Sequence, residues 1–247
     1  MAEWNDPQTT RSPFGAQPRL DGALLGAAGR DEGLRSYMLS IYNYMASGVL
    51  LSGVVALLFA RSGMAEQVMA TPLRWLIILA PLGFVMAMSF GLNRMQVSTL
   101  KLLFWSFCTV MGLSMSTIFL VYTGTSIALT FFSTAGAFAG LSLYGYSTKR
   151  NLSAMGAFMV MGLIGIILAM VLNLFLQSSA MALAISVLGV LIFAGLTAWD
   201  TQRLRNAYYQ VQGSDMVQKV VIMGALSLYL DFINMFQFLL SLMGGRR

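Results

Sequence analysis

Apolar residues occur along this chain in seven long runs separated by short polar connections. The runs cover residues 37–60, 73–90, 100–122, 126–147, 154–176, 180–199 and 220–243. A membrane-spanning helix needs about 20 mostly apolar residues, and each run reaches or approaches that length. Because lipid offers the backbone no hydrogen-bond partners, helices are the structure expected for such runs. The pattern predicts an all-α membrane protein with seven transmembrane helices.

The segment before the first run has a different character. Residues 1–36 hold three of the five prolines and five of the nine acidic residues, and they contain no apolar run that could serve as a signal-peptide core. We therefore predict a disordered polar N-terminal arm over residues 1–36. The seven-helix transmembrane domain is predicted over residues 37–247.

Composition agrees with the membrane assignment and excludes several kinds of chemistry. Of the 247 residues, 57% are hydrophobic and only 10% are charged, whereas a soluble domain carries about 25% charged residues. The chain has no histidine and one cysteine, Cys108. Zinc sites built on histidine, Ser-His or Cys-His nucleophiles and intrachain disulfides are therefore excluded. We expect no tightly bound cofactor and no enzymatic activity.

Positive charges give an orientation. The formal net charge is +6, but the basic residues are scattered singly between the runs, so we predict no nucleic-acid partner. The arm and alternate connections together hold 11 lysines and arginines, against 4 on the other side. The positive-inside rule then places the N-terminus in the cytoplasm. The last run either crosses fully or re-enters, and two arginines at the chain end leave both readings open.

The last run carries a polar stripe. Ser227, Asp231, Asn234 and Ser241 share one helical face, and Gln237 lies at its margin. Such a face is unstable against lipid, so the seventh helix is predicted at the centre of the bundle. The stripe either lines a water-filled or ion-conducting path or forms a hydrogen-bonded seam between helices.

Glycines are abundant inside the runs. Gly136 and Gly140 have GxxxG spacing, and the runs also contain Gly162 with Gly165 and Gly48 with Gly53. Small residues of this kind let two helix backbones approach closely. We interpret these glycines as sites of tight packing within the monomer, with a dimer seam as the alternative.

Two motifs close the sixth run and occupy the seventh. They read WDTQ at residues 199–202 and LSLYLDFINMF at residues 226–236. With both motifs in this order, the chain resembles the transmembrane Bax inhibitor motif family, the Bax inhibitor-1 like proteins, in a bacterial form. The resemblance covers about residues 37–243. It implies a seven-helix calcium-leak fold in a bacterial inner membrane.

The resemblance also implies site residues. Asp200 and Asp231 fall on the family's pH-sensing aspartate pair, and Arg94 is the nearest match to the arginine described with that pair. Two close carboxylates in low dielectric cannot both ionise comfortably, which makes the pair the predicted proton sensor. Carboxylates also suit calcium, so both residues are predicted to bind it transiently as the permeant ion. The function predicted is a pH-sensitive calcium leak channel gated by this pair.

One geometric condition must hold for that function. A helix rises about 1.5 Å per residue, so Asp200 would lie at the end of its run and Asp231 about 17 Å inside the next. Contact between them requires the sixth helix to continue past residue 199 and the seventh to begin well before residue 220. The mixed sequence at 201–219 permits both extensions.

Two other functions compete with a calcium leak. An intramembrane aspartyl protease also uses two aspartates, but it carries a Gly-x-Gly-Asp turn, whereas Leu228, Tyr229 and Leu230 precede Asp231. A non-enzymatic regulator is the stronger alternative, because some bacterial relatives are associated with restraining a membrane-bound quality-control protease. That role would depend on the N-terminal arm and the loops, with the protease or a stress pathway as its target.

Overall fold

The predicted all-α fold with seven transmembrane helices is confirmed. The computed structural model describes the backbone of residues 19–245 and the side chains of residues 32–245. This part of the chain contains nine helices and no strand. Their bounds are α1 (Arg19–Arg61), α2 (Met64–Met69), α3 (Leu73–Gly91), α4 (Val97–Met115), α5 (Thr117–Val121), α6 (Gly124–Ser147), α7 (Ser153–Leu176), α8 (Ser179–Val211) and α9 (Met216–Met243). Seven spans result, because α4 and α5 together make one and α2 is a short connection.

The last two helices are longer than their apolar runs. Helix α8 continues past residue 199 to Val211, and α9 begins at Met216. In these extensions Arg205 donates to Tyr146 O and Lys219 donates to Leu92 O, so both basic side chains find backbone partners on neighbouring helix ends. The condition for contact between Asp200 and Asp231 is therefore met by the backbone.

The predicted N-terminal arm is described only in part, since residues 1–18 lie outside the described residues. From Arg19 the backbone is helical as the first part of α1, so the disorder predicted for residues 1–36 does not extend over residues 19–36. Pro18 comes just before this helix, and the next proline is Pro72. No residue in between is barred from a helix interior by a missing N–H. The boundary at residue 37 between arm and transmembrane domain stays a prediction.

Helix α9 occupies the centre of the bundle, as its polar stripe predicted. In its most apolar window 56% of the residues are buried, compared with 6% to 33% in the other six spans of the described chain. It packs against α8, α6 and α4. Protein therefore surrounds most of the helix that carries Asp231.

The last helix crosses the bundle completely. It runs through 28 residues without interruption, or about 42 Å, which exceeds the hydrocarbon thickness of about 30 Å. Near its start Lys219 Nζ donates to Leu92 O (3.2 Å), just after α3. At its end Gly245 N donates to Ser126 Oγ (2.9 Å), at the start of α6. We call the end with Lys219 the basic end and the other the opposite end.

Close helix packing occurs at some of the predicted glycines and not at others. Gly48 lies against Cys108 and Gly162 lies against Ile192, as predicted. At Gly136 and Gly140 an added Cβ would meet nothing within 4 Å, so the prediction that this pair packs inside the monomer is wrong. Instead Gly145 lies against the Ala198 carbonyl, and Gly156 lies against the Trp199 ring. Gly136, Gly140 and Gly145 all lie on α6, but only Gly145 is on the face of this helix that meets α8.

The close approach at Gly145 gives a stability prediction. Substitution Gly145→Ala places a methyl group against backbone that cannot rotate away, so we expect the free energy of unfolding to fall by about 1–3 kcal/mol. The control Gly140→Ala adds the same methyl on the same helix where space is free. Thermal unfolding of both variants in detergent is the measurement, and equal midpoints would contradict the packing.

Candidate functional site

The WDTQ motif fixes the basic end of α8 against its neighbours. Gln202 Oε1 accepts a hydrogen bond from Leu152 N, and its Nε2 donates to Arg150 O, both at 2.8 Å. One amide side chain thus satisfies two backbone groups of the α6–α7 connection, which would otherwise be costly to bury. The Trp199 ring packs against Gly156. Together these contacts fix the axial position and the rotation of α8, and so they fix the direction in which the Asp200 side chain points.

Asp200 and Asp231 meet between α8 and α9. Each is only 5% exposed, and the two side chains are near enough for their charges to interact. Ionised carboxylates are acceptors only, so a hydrogen bond between the two groups requires a proton on one of them. In the part of the chain that the structure describes, Asp231 Oδ2 is buried and has no hydrogen-bond partner. The geometry therefore fits a pair that holds one proton.

Two further side chains complete the cluster around Asp200. Ser227 Oγ donates to Asp200 Oδ2, and Arg203 Nη2 lies 3.0 Å from Asp200 Oδ1. Arg203 Nη2 also donates to Ser227 Oγ at 3.2 Å, and its guanidinium lies 4.8 Å from the centre of the Trp199 ring. We call Asp200, Asp231, Ser227 and Arg203 the aspartate cluster. With one shared proton, the charges of this cluster sum to zero.

The arginine at this site is Arg203, whereas the family resemblance pointed to Arg94. Arg94 lies in the turn after α3 with an exposed side chain, and its backbone N–H donates to Gly91 O (2.9 Å). The structure does not bring it to the aspartates. A sequence signal for Arg203 existed, because residues three apart on a helix are neighbours. The mixed sequence of residues 201–219 hides this signal, because the apolar pattern does not show that α8 continues to Val211.

The rest of the polar stripe forms a seam more than a channel wall in this conformation. Ser241 Oγ shares a 3.0 Å hydrogen bond with Ser186 Oγ on α8, and Asn234 Nδ2 donates back to Leu230 O of its own helix at 2.8 Å. Gln237 is half-buried. Ser227 and Asp231 in the middle part of α9 and Ser241 near the opposite end therefore all meet α8. A role of the stripe in lining a pore stays a prediction.

A second buried polar contact was not predicted. Ser52 Oγ donates to Cys108 O (2.7 Å) and shares a 2.6 Å hydrogen bond with the hydroxyl of Tyr229. Tyr229 is fully buried, and its ring packs edge-on against Phe107. This contact joins α1, α4 and α9 half a turn of helix from Asp231. Only Tyr229, inside the second motif, gave any sequence signal for it.

The carboxylates present set a limit on metal binding. Over residues 32–245 no three His, Cys, Asp or Glu side chains lie together as a ligand set. A calcium ion at the aspartate cluster would have two carboxylates and would complete its six to eight oxygen ligands with water or neutral groups. Such a donor set fits weak and transient binding.

The fold and site define an integral membrane protein whose central last helix presents one aspartate to another on the helix before it. A sequence description of the family named inhibitor of apoptosis-promoting Bax1 matches residues 34–247. The chain belongs to this Bax inhibitor-1 like family, as its two motifs predicted.

Bacterial relatives match over nearly their whole length. An uncharacterized protein of Rickettsia prowazekii is 46% identical over 218 residues, covering 88% of this chain and 92% of the relative. An uncharacterized protein of Caulobacter vibrioides is 44% identical over 229 residues, covering 88% and 91%. Inner membrane protein YbhL of Escherichia coli is 42% identical over 234 residues, covering 93% and 98%.

The hydrogen bond from Ser227 to Asp200 gives a prediction about stability. Substitution Ser227→Ala leaves Asp200 Oδ2 without its donor, and the cost of an unsatisfied buried acceptor is about 1–3 kcal/mol. We expect a lower free energy of unfolding by that amount, measured by denaturation in detergent micelles. In the control Ser133→Ala, an exposed hydroxyl that donates only to Leu129 O is removed. A loss in the control as large as that of Ser227→Ala would contradict the contact.

Proposed function

We propose that this protein is a pH-sensitive calcium leak channel of a bacterial inner membrane, gated by Asp200 and Asp231. The observation that carries the proposal is the pair of buried carboxyl groups between α8 and the central helix α9, with Arg203 in an ion pair with Asp200. Membership of the Bax inhibitor-1 family supports the calcium leak. The inner membrane is supported by the relative named inner membrane protein YbhL.

The gate acts through the charge of the aspartate cluster. With one proton shared, the two carboxyl groups hydrogen-bond and Arg203 balances the remaining charge. When the proton leaves, two negative charges face one arginine, and repulsion between the carboxylates opposes the packing of α8 on α9. When a second proton arrives, the ion pair with Arg203 is lost. Each change alters the relative stability of closed and open packings, which is what a ligand-controlled equilibrium requires.

Calcium is the ion that the oxygen donors suit. It is a hard cation that accepts carboxylate, amide and hydroxyl oxygens together with water. The aspartate cluster offers such an ion carboxylate oxygens from Asp200 and Asp231 and the hydroxyl oxygen of Ser227. Because a conducting site must release the ion again, two carboxylates without a full ligand cage favour passage over storage.

The orientation follows from charge. The basic end holds most of the lysines and arginines of the connections, and the positive-inside rule assigns that end to the cytoplasm. The N-terminus and the aspartate cluster then lie on the cytoplasmic side, and the C-terminal end of α9 lies on the outer side.

The aspartates can be tested directly by ion flux. In proteoliposomes we expect calcium entry to vary between about pH 5 and pH 8, and Asp200→Asn and Asp231→Asn each to flatten that variation because the shared proton is lost. The double variant should differ from the sum of the singles, since the two groups act as one unit. Calcium-sensitive dye trapped inside the vesicles reports the flux. If all three variants kept the pH dependence of calcium flux seen in the parental protein, the gating role of the two aspartates would be contradicted.

The choice of arginine is tested by a matched pair of variants. Arg203→Gln removes the cation that contacts Asp200, so we expect a displaced or flattened pH profile of the flux. Arg94→Gln removes the same charge from an exposed turn, and we expect the parental profile. The reverse result would assign the third member of the gate to Arg94 and contradict the role given to Arg203.

A further inference from the structure

A cavity of about 300 Å³ lies between α1, the α4–α5 segment, α6 and α9, and no residue of the aspartate cluster lines it. Its walls are apolar residues and glycines, with Ser52 as the one polar side chain. The Ser52 hydroxyl already hydrogen-bonds to Cys108 O and to Tyr229. The cavity therefore presents no polar group in need of a partner, and an apolar occupant fits it.

The cavity opens toward the membrane between α1 and α6. Its lining includes exposed residues on both helices: Gly53 on α1, and Gly124, Ala128, Phe131 and Phe132 on α6. Phe132 is 72% exposed. All of these residues lie within the membrane-spanning segments Glu32–Arg61 and Gly124–Ser147. The medium at the mouth is therefore lipid hydrocarbon, and lipid is what can enter.

The depth of the cavity matches one leaflet. It begins at Gly124, the first residue of α6, and reaches Phe132 on the same helix, which is about 12 Å along the axis. The acyl chains of one leaflet fill about 15 Å, half of the hydrocarbon core. An acyl chain can therefore enter from headgroup level at the α5–α6 connection and follow the cavity inward.

The volume also requires an occupant. Apolar cavities of about 150 Å³ remain dry and take up benzene, so water does not fill a space of this kind. Left empty, the walls would lose dispersion contacts that a hydrocarbon chain restores. On the inner side the walls are Phe232, Ile233 and Phe236 of α9.

We propose that this cavity is a binding site for one acyl chain of a bilayer phospholipid. The chain enters between α1 and α6 and packs against Phe232 and Phe236, which are only 4% and 5% exposed. The occupied site fills the space between α9 and the two helices on this side. It is a lipid site on the central helix and does not depend on ion conduction.

Photolabelling tests the site in the folded protein. Proteoliposomes are prepared with a phosphatidylethanolamine that carries a diazirine near the end of one acyl chain, illuminated, and digested for mass spectrometry. We expect adducts on residues 232–236 of α9, which a lipid chain can reach only by entering the cavity. If the unmutated protein carried adducts on lipid-facing helices such as α7 but none on α9, the proposal would be overturned.

Two variants with matched controls locate the path. An added Cβ at Gly53 meets nothing within 4 Å, so Gly53→Leu fits there and fills the cavity; we expect a several-fold loss of the α9 adducts. Gly136→Leu, at an equally open position outside the cavity, should keep them. Ala128→Phe blocks the mouth from α6, with Ala137→Phe as its control. Undiminished α9 labelling in both blocking variants, with folding verified by size exclusion and thermal unfolding, would also refute the site.

Discussion

A carboxylate at membrane depth has to be kept from lipid and given partners, and Asp231 imposes this constraint on the whole bundle. A charge at the centre of a span costs about 2.5–3.5 kcal/mol on insertion scales. The cost is met by placing α9 in the centre and by carrying Asp200, with Ser227 and Arg203 around it, on a helix that continues past its apolar run. The length of α8 and the position of α9 follow from the same need.

The neighbouring helices serve this contact by holding α8 in place. Gly145 and Gly156 let α6 and α7 come close to Ala198 and Trp199, two residues and one residue before Asp200. Gln202 binds the α6–α7 connection two residues after it. Contacts on both sides of Asp200 leave little freedom of rotation, so the carboxyl group points at α9. A substitution at any of these positions acts on the site through the orientation of α8.

The parts of this structure that the sequence could predict are those with a local signal. Apolar run length predicted seven spans, and the polar face of the last run predicted its central position. The meeting of Ser52 with Tyr229 spans 177 residues and lies inside apolar runs, where no periodicity marks it. Arg203 was missed for a different reason: helix propensity and apolar length do not show that a mixed segment stays helical when its polar groups find partners in the fold.

Three nearby residues of α9 contact different neighbours, and this limits how the bundle can move. Tyr229 is tied to Ser52 on α1, Asp231 meets Asp200 on α8, and Phe232 packs against Phe131 and Phe138 on α6. A rotation of α9 that separates the carboxyl groups must also disturb the other two contacts. Packed interfaces of this kind switch between discrete arrangements instead of deforming gradually. A change in the charge of the aspartate cluster is therefore expected to move α9 as a unit against three neighbours at once.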